Sequence, residues 1–234
     1  MNVYSNLLTT LEQEYDTVRR LKAGPRGSVS IVRHRESGQR YIFRHYEGSG
    51  EVYRKLLTVV CPHLPEVYEV GEENGHVAVL EEYVKGDTLA FLLEGGLLSQ
   101  REGKAVAKQI CEGLWVLHAM GAVHRDIKPE NVILRGDQAV LIDFDASRIY
   151  KGEQDGDTRI LGTTGYAAPE QYGFSQCDSR ADIYSLGVLM NIMLTGEHPS
   201  KKLASGRAGR IVQRCTMTAP KQRYQSVLQL MERL

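Results

Sequence analysis

The 234-residue chain predicts an α+β fold of two parts, a small antiparallel β lobe followed by a larger helical lobe. Three observations predict it. Residues 17–84 alternate apolar and polar side chains and are broken by short Gly- and Asn-containing turns. From Ser99 onward, apolar residues recur at helical spacing. The nearly uninterrupted apolar stretch Ala181 to Leu194 calls for a helix buried on all sides.

The elements follow in order. Leu7, Leu8, Leu11 and Tyr15 have the spacing of a short helix that packs on the small lobe. Ser28 to Arg33 and Arg40 to Tyr46 read as strands, joined through a turn at Glu36-Ser37-Gly38-Gln39. Glu51 to Val60 reads as a helix. Val67 to Val70 and His76 to Glu82 read as a second strand pair across Glu73-Asn74-Gly75. Ser99 and Glu102 form a capping box, after which Val106, Ile110, Leu114 and Leu117 mark one helix face. Ala139 to Ile142 is an apolar strand. The buried helix stops at Thr195-Gly196. Ser226 to Leu234 closes the chain as an amphipathic helix with Val227, Leu230, Met231 and Leu234 on one side. These divide the chain into an extension (1–16), a β lobe (17–84) and a helical lobe (85–234), without repeats or low-complexity tracts.

Lys plus Arg and Asp plus Glu number 29 each, so the net charge of zero gives no support to nucleic-acid binding. Cys61, Cys111, Cys177 and Cys215 lack paired spacing and fit thiols in a reducing cytoplasm better than disulfides or zinc. No leader sequence is visible: residues 1–20 carry Glu12, Glu14 and Asp16. The longest apolar run, Leu186 to Leu194, is too short to span a bilayer. A soluble, cytoplasmic protein is expected, or the cytoplasmic part of a longer membrane-attached one.

The most informative stretch is His124-Arg125-Asp126-Ile127-Lys128-Pro129-Glu130-Asn131. One short loop carries a carboxylate, an ammonium and an amide, the groups phosphoryl transfer needs. Asp126 can orient a hydroxyl and take its proton, Lys128 can neutralise the moving phosphoryl, and Asn131 can hold a metal ion.

This stretch resembles the catalytic loop of protein kinases of the serine/threonine type, and residues 17–234 follow the family's two-lobed order. The likeness is to the eukaryotic-like (Hanks-type) kinases found in bacteria. It implies that Asp143, before Phe144, binds the metal together with Asn131; hard oxygen ligands suit Mg2+, with Mn2+ as the alternative. It implies that Gly162-Thr163-Thr164-Gly165-Tyr166-Ala167-Ala168-Pro169-Glu170 shapes the protein-substrate surface. Thr163 falls at the position whose hydroxyl meets the catalytic Asp and Lys. Structural roles are implied for Glu170 paired with Arg223, and for Asp182, which hydrogen-bonds the catalytic-loop backbone. ATP and a protein Ser/Thr hydroxyl are the implied partners, with no nucleic acid and no membrane.

The nucleotide end departs from the family. Where Gly-x-Gly-x-x-Gly-x-Val is expected, the chain has Lys22-Ala23-Gly24-Pro25-Arg26-Gly27-Ser28-Val29. Gly24, Gly27 and Val29 remain, and Lys22 adds a charge over the nucleotide; a plain β-hairpin is the competing reading. At the family interval from Val29 stands Arg44 instead of lysine. Its planar fork either grips the phosphates or is locked in an internal ion pair. Glu51, on the short helix, and Glu81, one residue before the hinge Glu82-Tyr83-Val84, are its candidate partners. Glu82 and Val84 line the nucleotide site by the same likeness. Asp145 replaces the glycine of Asp-Phe-Gly, where it stiffens the segment or adds a metal ligand. Arg125 would receive a phosphate on Thr158, or Asp155 or Asp157 would stand in for one.

Three function classes follow: an active protein serine/threonine kinase, a pseudokinase acting as a nucleotide-binding or scaffold module, and a small-molecule phosphotransferase. The segment ending in Ala-Pro-Glu argues against the third.

Overall fold

The computed structural model describes residues 2–25, 27–150, 163–173 and 177–234. The chain divides into two compact units, 1–61 with 65–84, and 62–64 with 85–234. Residues 1–16 thus belong to the first unit and residues 62–64 to the second.

The first unit begins with α1 (Val3–Glu14), whose N-cap Asn2 side chain accepts from the Tyr4 N–H at 2.8 Å. It passes without a loop into β1 (Tyr15–Gly24), followed by β2 (Gly27–His34), β3 (Arg40–Glu47), α2 (Glu51–Leu56), β4 (Val67–Glu73) and β5 (His76–Glu82). The strands form one antiparallel sheet in the order β1-β2-β3-β5-β4. β1 was not expected from the sequence: two register irregularities, at Thr17/Arg19 and Arg20/Lys22, break its alternation. The expected helix 51–60 ends at Leu56, because Thr58, Val59 and Val60 are β-branched and Pro62 follows.

The two faces of the sheet are covered differently. On one, Val32, Ala78 and Leu80 close over Leu7 of α1, with Tyr4, Tyr41 and Phe43 around them. α1 sits so close to β4 that a Cβ at Gly71 would lie 2.4 Å from the Tyr4 Cα. Arg35 ties down the other end of α1, reaching the carbonyls of Glu12 and Gln13 and the Asp16 carboxylate. On the opposite face, α2 buries Val52, Tyr53 and Leu56, and its N-terminus rests on Val70 and Val77.

The second unit is built on helices. It runs β6 (Asp87–Thr88), α3 (Leu89–Gly95), α4 (Gln100–Ala119), β7 (Ala122–Val123), β8 (Val132–Arg135), β9 (Gln138–Leu141), β10 (Arg148–Ile149), α5 (Arg180–Thr195), α6 (Gly206–Cys215) and α7 (Val227–Met231). The Ser99–Glu102 capping box starts α4, whose Ile110, Leu114 and Leu117 are fully buried. α5 packs against α4 and α6 and ends at left-handed Gly196. α7 is shorter than the expected 226–234: residues 232–234 close onto the carbonyls of Leu228, Leu230 and Met231 through mixed i−4 and i−3 bonds, a frayed last turn. Small sheets β6-β8-β9 and β7-β10 frame the loop 124–131.

Candidate active site

The loop 124–131 is held from beneath by one carboxylate. Asp182, in the first turn of buried α5, accepts from the backbone N–H groups of His124 and Arg125 at 2.8 Å each, and lies 2.8 Å from His118 Nε2. Burial alone would raise the Asp182 carboxyl, but the His118 ring and these donors outweigh it and hold it below the ordinary carboxylate value. Arg125 has a left-handed backbone, φ 72°, a conformation that costs a non-glycine residue on the order of 1–3 kcal/mol. Both sides of that residue are pinned: its N–H by Asp182, its carbonyl by the Gln171 amide at 2.9 Å. Gln171 also accepts from the Ala168 N–H, so it joins the segment after Thr163 to the loop.

On this platform Asp126 collects donors. Thr163 Oγ1 donates to Oδ1 at 2.6 Å; Lys128 Nζ lies 2.8 Å from Oδ2; Asn131 Nδ2 donates to Oδ2 at 2.9 Å and to the Asp126 carbonyl at 2.8 Å. Lys128 also donates to the Thr163 hydroxyl at 2.8 Å. A carboxylate has about four acceptor positions. Three are used by described residues, which leaves one on Oδ1.

Asp143 follows β9 with φ 70°. The chain there is tied to the loop by the Ile142 N–H, which donates to the Asn131 carbonyl at 2.9 Å. Phe144 is buried edge-on against His124, centroids 5.4 Å apart. The Asp126 N–H donates to His124 Nδ1, and His124 Nε2 lies 3.2 Å from the Ile142 carbonyl, which fixes a neutral ring protonated on Nε2. Burial pushes the His124 ring below its ordinary value against the pull of Asp182, Asp126 and Asp143. The unusual backbone angle falls on Asp143, whereas Asp145 is absent from the positive-φ residues. Aspartate at 145 therefore carries no left-handed strain.

With its NH2 spent on Asp126, Asn131 offers its amide oxygen, and Asp143 its carboxylate, to a cation. These are hard donors that suit Mg2+ completed by phosphate and water oxygens. Among the described residues no group of three or more His, Cys, Asp or Glu side chains could hold a metal alone.

Farther along, Glu170 and Arg223 form a two-pronged ion pair, Nη1–Oε1 2.6 Å and Nη2–Oε2 2.8 Å. Arg223 is buried and also donates to the carbonyls of Met217, Arg180 and Thr218.

In the first unit Arg44 Nε donates to Glu81 Oε1 at 2.6 Å, both side chains buried. Arg44 faces Val79 across β3 and β5, so Glu81 is its diagonal neighbour on the same face. Glu51 opens α2, half-buried. Lys22 is exposed on β1 and paired in register with buried Val29, and Gly24 faces Gly27 at the hairpin end. β1 and β2 pair antiparallel up to Gly24 and Gly27, and these two glycines differ in kind. A Cβ at Gly27 (φ 145°) would lie 2.4 Å from the His45 carbonyl oxygen; one at Gly24 meets nothing within 4 Å. Glu82 ends β5, its N–H donating to the Glu66 carbonyl, and Val84 is buried. Thr158, Asp155 and Asp157 lie outside the described residues; Arg125 is buried.

Sequence reasoning missed Gln171, His118 and the neutral His124. Gln171 follows Ala-Pro-Glu directly, and His118 lies in the last turn of α4, but nothing local marks either as a partner of the loop.

Comparison with known proteins supplies the family. The model described as "Protein kinase domain" matches residues 15–234. Serine/threonine-protein kinase pkn2 of Myxococcus xanthus is 30% identical over 208 residues, 81% of this chain and 25% of that protein. Serine/threonine-protein kinase PknL of Mycobacterium tuberculosis is 38% identical over 139 residues, 58% of this chain and 35% of that protein. Serine/threonine-protein kinase cds1 of Schizosaccharomyces pombe is 27% identical over 217 residues, 83% of this chain and 47% of that protein. The chain thus spans between a quarter and a half of the length of these relatives.

Proposed function

The chain belongs to the protein kinase domain family, and from that premise we propose that it transfers the γ-phosphoryl group of ATP to a serine or threonine hydroxyl of a protein. The observation that carries the reading is the donor ring on Asp126, with an acceptor position on Oδ1 that no described residue fills. A substrate hydroxyl bonded there is oriented for attack, and Asp126 takes its proton as the oxygen–phosphorus bond forms and the bond to the β-phosphate oxygen breaks. Lys128, already paired with Asp126, places positive charge beside the transferred group. Asn131 keeps Asp126 in position from its amide side.

Asn131 and Asp143 would hold Mg2+, or Mn2+ in its place. The chemistry such an ion supplies is neutralisation of charge on the phosphate oxygens. In the first unit, Gly24 with Lys22 and Val29 would cover the phosphates, Arg44 would supply the charge the family places there, and Glu82 and Val84 would meet the base. Gly24 supports this, since its surroundings leave room for a ligand. A phosphorylation-signalling role in the cytoplasm is the setting we infer; no described helix is long and apolar enough to cross a membrane.

The test is transfer from labelled ATP with Mg2+ to a generic basic protein, beside Asp126→Asn. Loss of the proton acceptor should cut transfer by about 10²–10⁴-fold. Equal background transfer from both proteins, with a nucleotide-dependent rise in melting temperature, would instead establish a nucleotide-binding module.

A further inference from the structure

The charge of the chain is balanced overall but not locally. Residues 196–234 contain eight Lys and Arg against two acidic residues, Glu197 and Glu232. One of the eight, Arg223, is buried on Glu170. The other seven are exposed, and three of them lie on α6. Its buried side is Ala208, Ile211, Val212 and Cys215; its outer side presents Arg207, Arg210 and Arg214 at intervals of three and four. Arg214 lies over the Tyr224 ring at 4.7 Å, and Arg207 Nε donates to the Arg233 carbonyl at 3.2 Å. Burial pushes the Tyr224 phenol up, and Arg214, Arg233 and Arg207 each pull against that rise. Lys201 and Lys202 add charge just before the helix. None of these cations has an acidic partner among the described residues, although carboxylates elsewhere in the chain are paired repeatedly.

We propose that the outer face of α6 is a docking surface for an acidic segment of a partner protein. The three arginines span about 10 Å of helix, the reach of two or three carboxylates on an extended or helical segment. Like charges held this close with no counter-charge repel one another, and an acidic partner removes that cost. Exposed apolar side chains stand at both ends of the helix, Leu203 before it and Met217 after it. Arginine and methionine together are the composition of a protein interface, whereas a phosphate backbone would leave the apolar groups unused.

The surface is independent of phosphoryl transfer and is tested without nucleotide. A short labelled peptide of Glu and Asp with two Leu is titrated with the chain by fluorescence anisotropy, beside the same peptide with Lys for every acid. The expected result is binding of the acidic peptide alone, weakening as NaCl rises from about 50 to about 300 mM. It should weaken at least tenfold in the double variant Arg207→Gln, Arg210→Gln. Arg214 is left intact because it packs on Tyr224. Hydrogen exchange on the unaltered chain should show peptide-dependent protection of α6. Affinity unchanged in the double variant, protection confined to other elements, or tighter binding of an oligonucleotide or of phosphatidylserine vesicles would each overturn the proposal.

Discussion

Arg44 and Glu81 form a buried ion pair across the diagonal of β3 and β5, Nε to Oε1 at 2.6 Å. A buried arginine and a buried carboxylate thus occur as a matched pair. Neither charge would tolerate this burial alone.

The first prediction follows from that match. Removing one partner takes a charge-assisted bond from a buried charge, so Arg44→Met or Glu81→Leu should each cost about 3–5 kcal/mol in urea denaturation. The double variant should recover most of the loss. Additive losses would show that the two do not interact in solution. The same cycle read on nucleotide affinity separates the pair's structural weight from its part in phosphate binding.

The hairpin glycines give a second. Gly27→Ala forces a Cβ into the His45 carbonyl and requires a left-handed backbone, so it should lower the melting temperature measurably. Gly24→Ala has room and should leave the melting temperature within about a degree or two, an effect below roughly 0.5 kcal/mol. If Gly24→Ala nevertheless weakens ATP binding, the loop approaches the phosphates at that glycine. Unchanged ATP affinity would leave the hairpin a purely structural feature.

A third concerns the N-terminal helix. Leu7 is 1% exposed in the cluster with Val32, Ala78 and Leu80. Leu7→Ala should cost roughly 2–5 kcal/mol, as large-to-small changes in a closed core do. The exposed neighbour Val3, replaced by Ala, should be close to neutral in the same denaturant series.

The fourth is a pH dependence. His124 is held neutral, with its folded pKa below the ordinary 6.5, so the unfolded chain binds a proton there first. Stability should be full above about pH 6.5 and fall as pH drops toward the lower folded value. Asp182 has a folded pKa below the ordinary 3.8; its contribution persists at that pH and is lost as pH falls through the folded value. Urea midpoints should therefore begin to fall near pH 6.5, well before acid unfolding. His124→Gln should flatten that first limb, and a wild-type midpoint constant between about pH 7 and 5 would refute the assignment.

The loop 124–131 was legible because its chemistry-bearing side chains are confined to eight consecutive residues. The Arg44–Glu81 contact was legible because each charge was out of place. β1 was hidden by two bulges that destroy the period of two, and by charges at Arg19, Arg20 and Lys22 that resemble a loop. α6 was hidden by its arginines and by glycines at 206 and 209, which lower helix propensity while tertiary packing supplies the difference. Gln171 and His118 were out of reach because hydrogen bonds spanning 46 and 64 residues leave no local trace. The left-handed backbone at Asp143 was out of reach because no residue type at that position announces a positive φ.

The seating of α1 also governs the order in which the first unit can form. Its partners, Gly71, Ala78 and Leu80, lie more than sixty residues downstream of Tyr4 and Leu7. During synthesis the helix can meet Val32, Tyr41 and Phe43 early, but its seat is complete only when β4 and β5 have emerged and paired. The contact joins the two ends of the first unit's sequence. Sequences fused ahead of Val3 should thus act first on folding yield, and only afterwards on the folded protein.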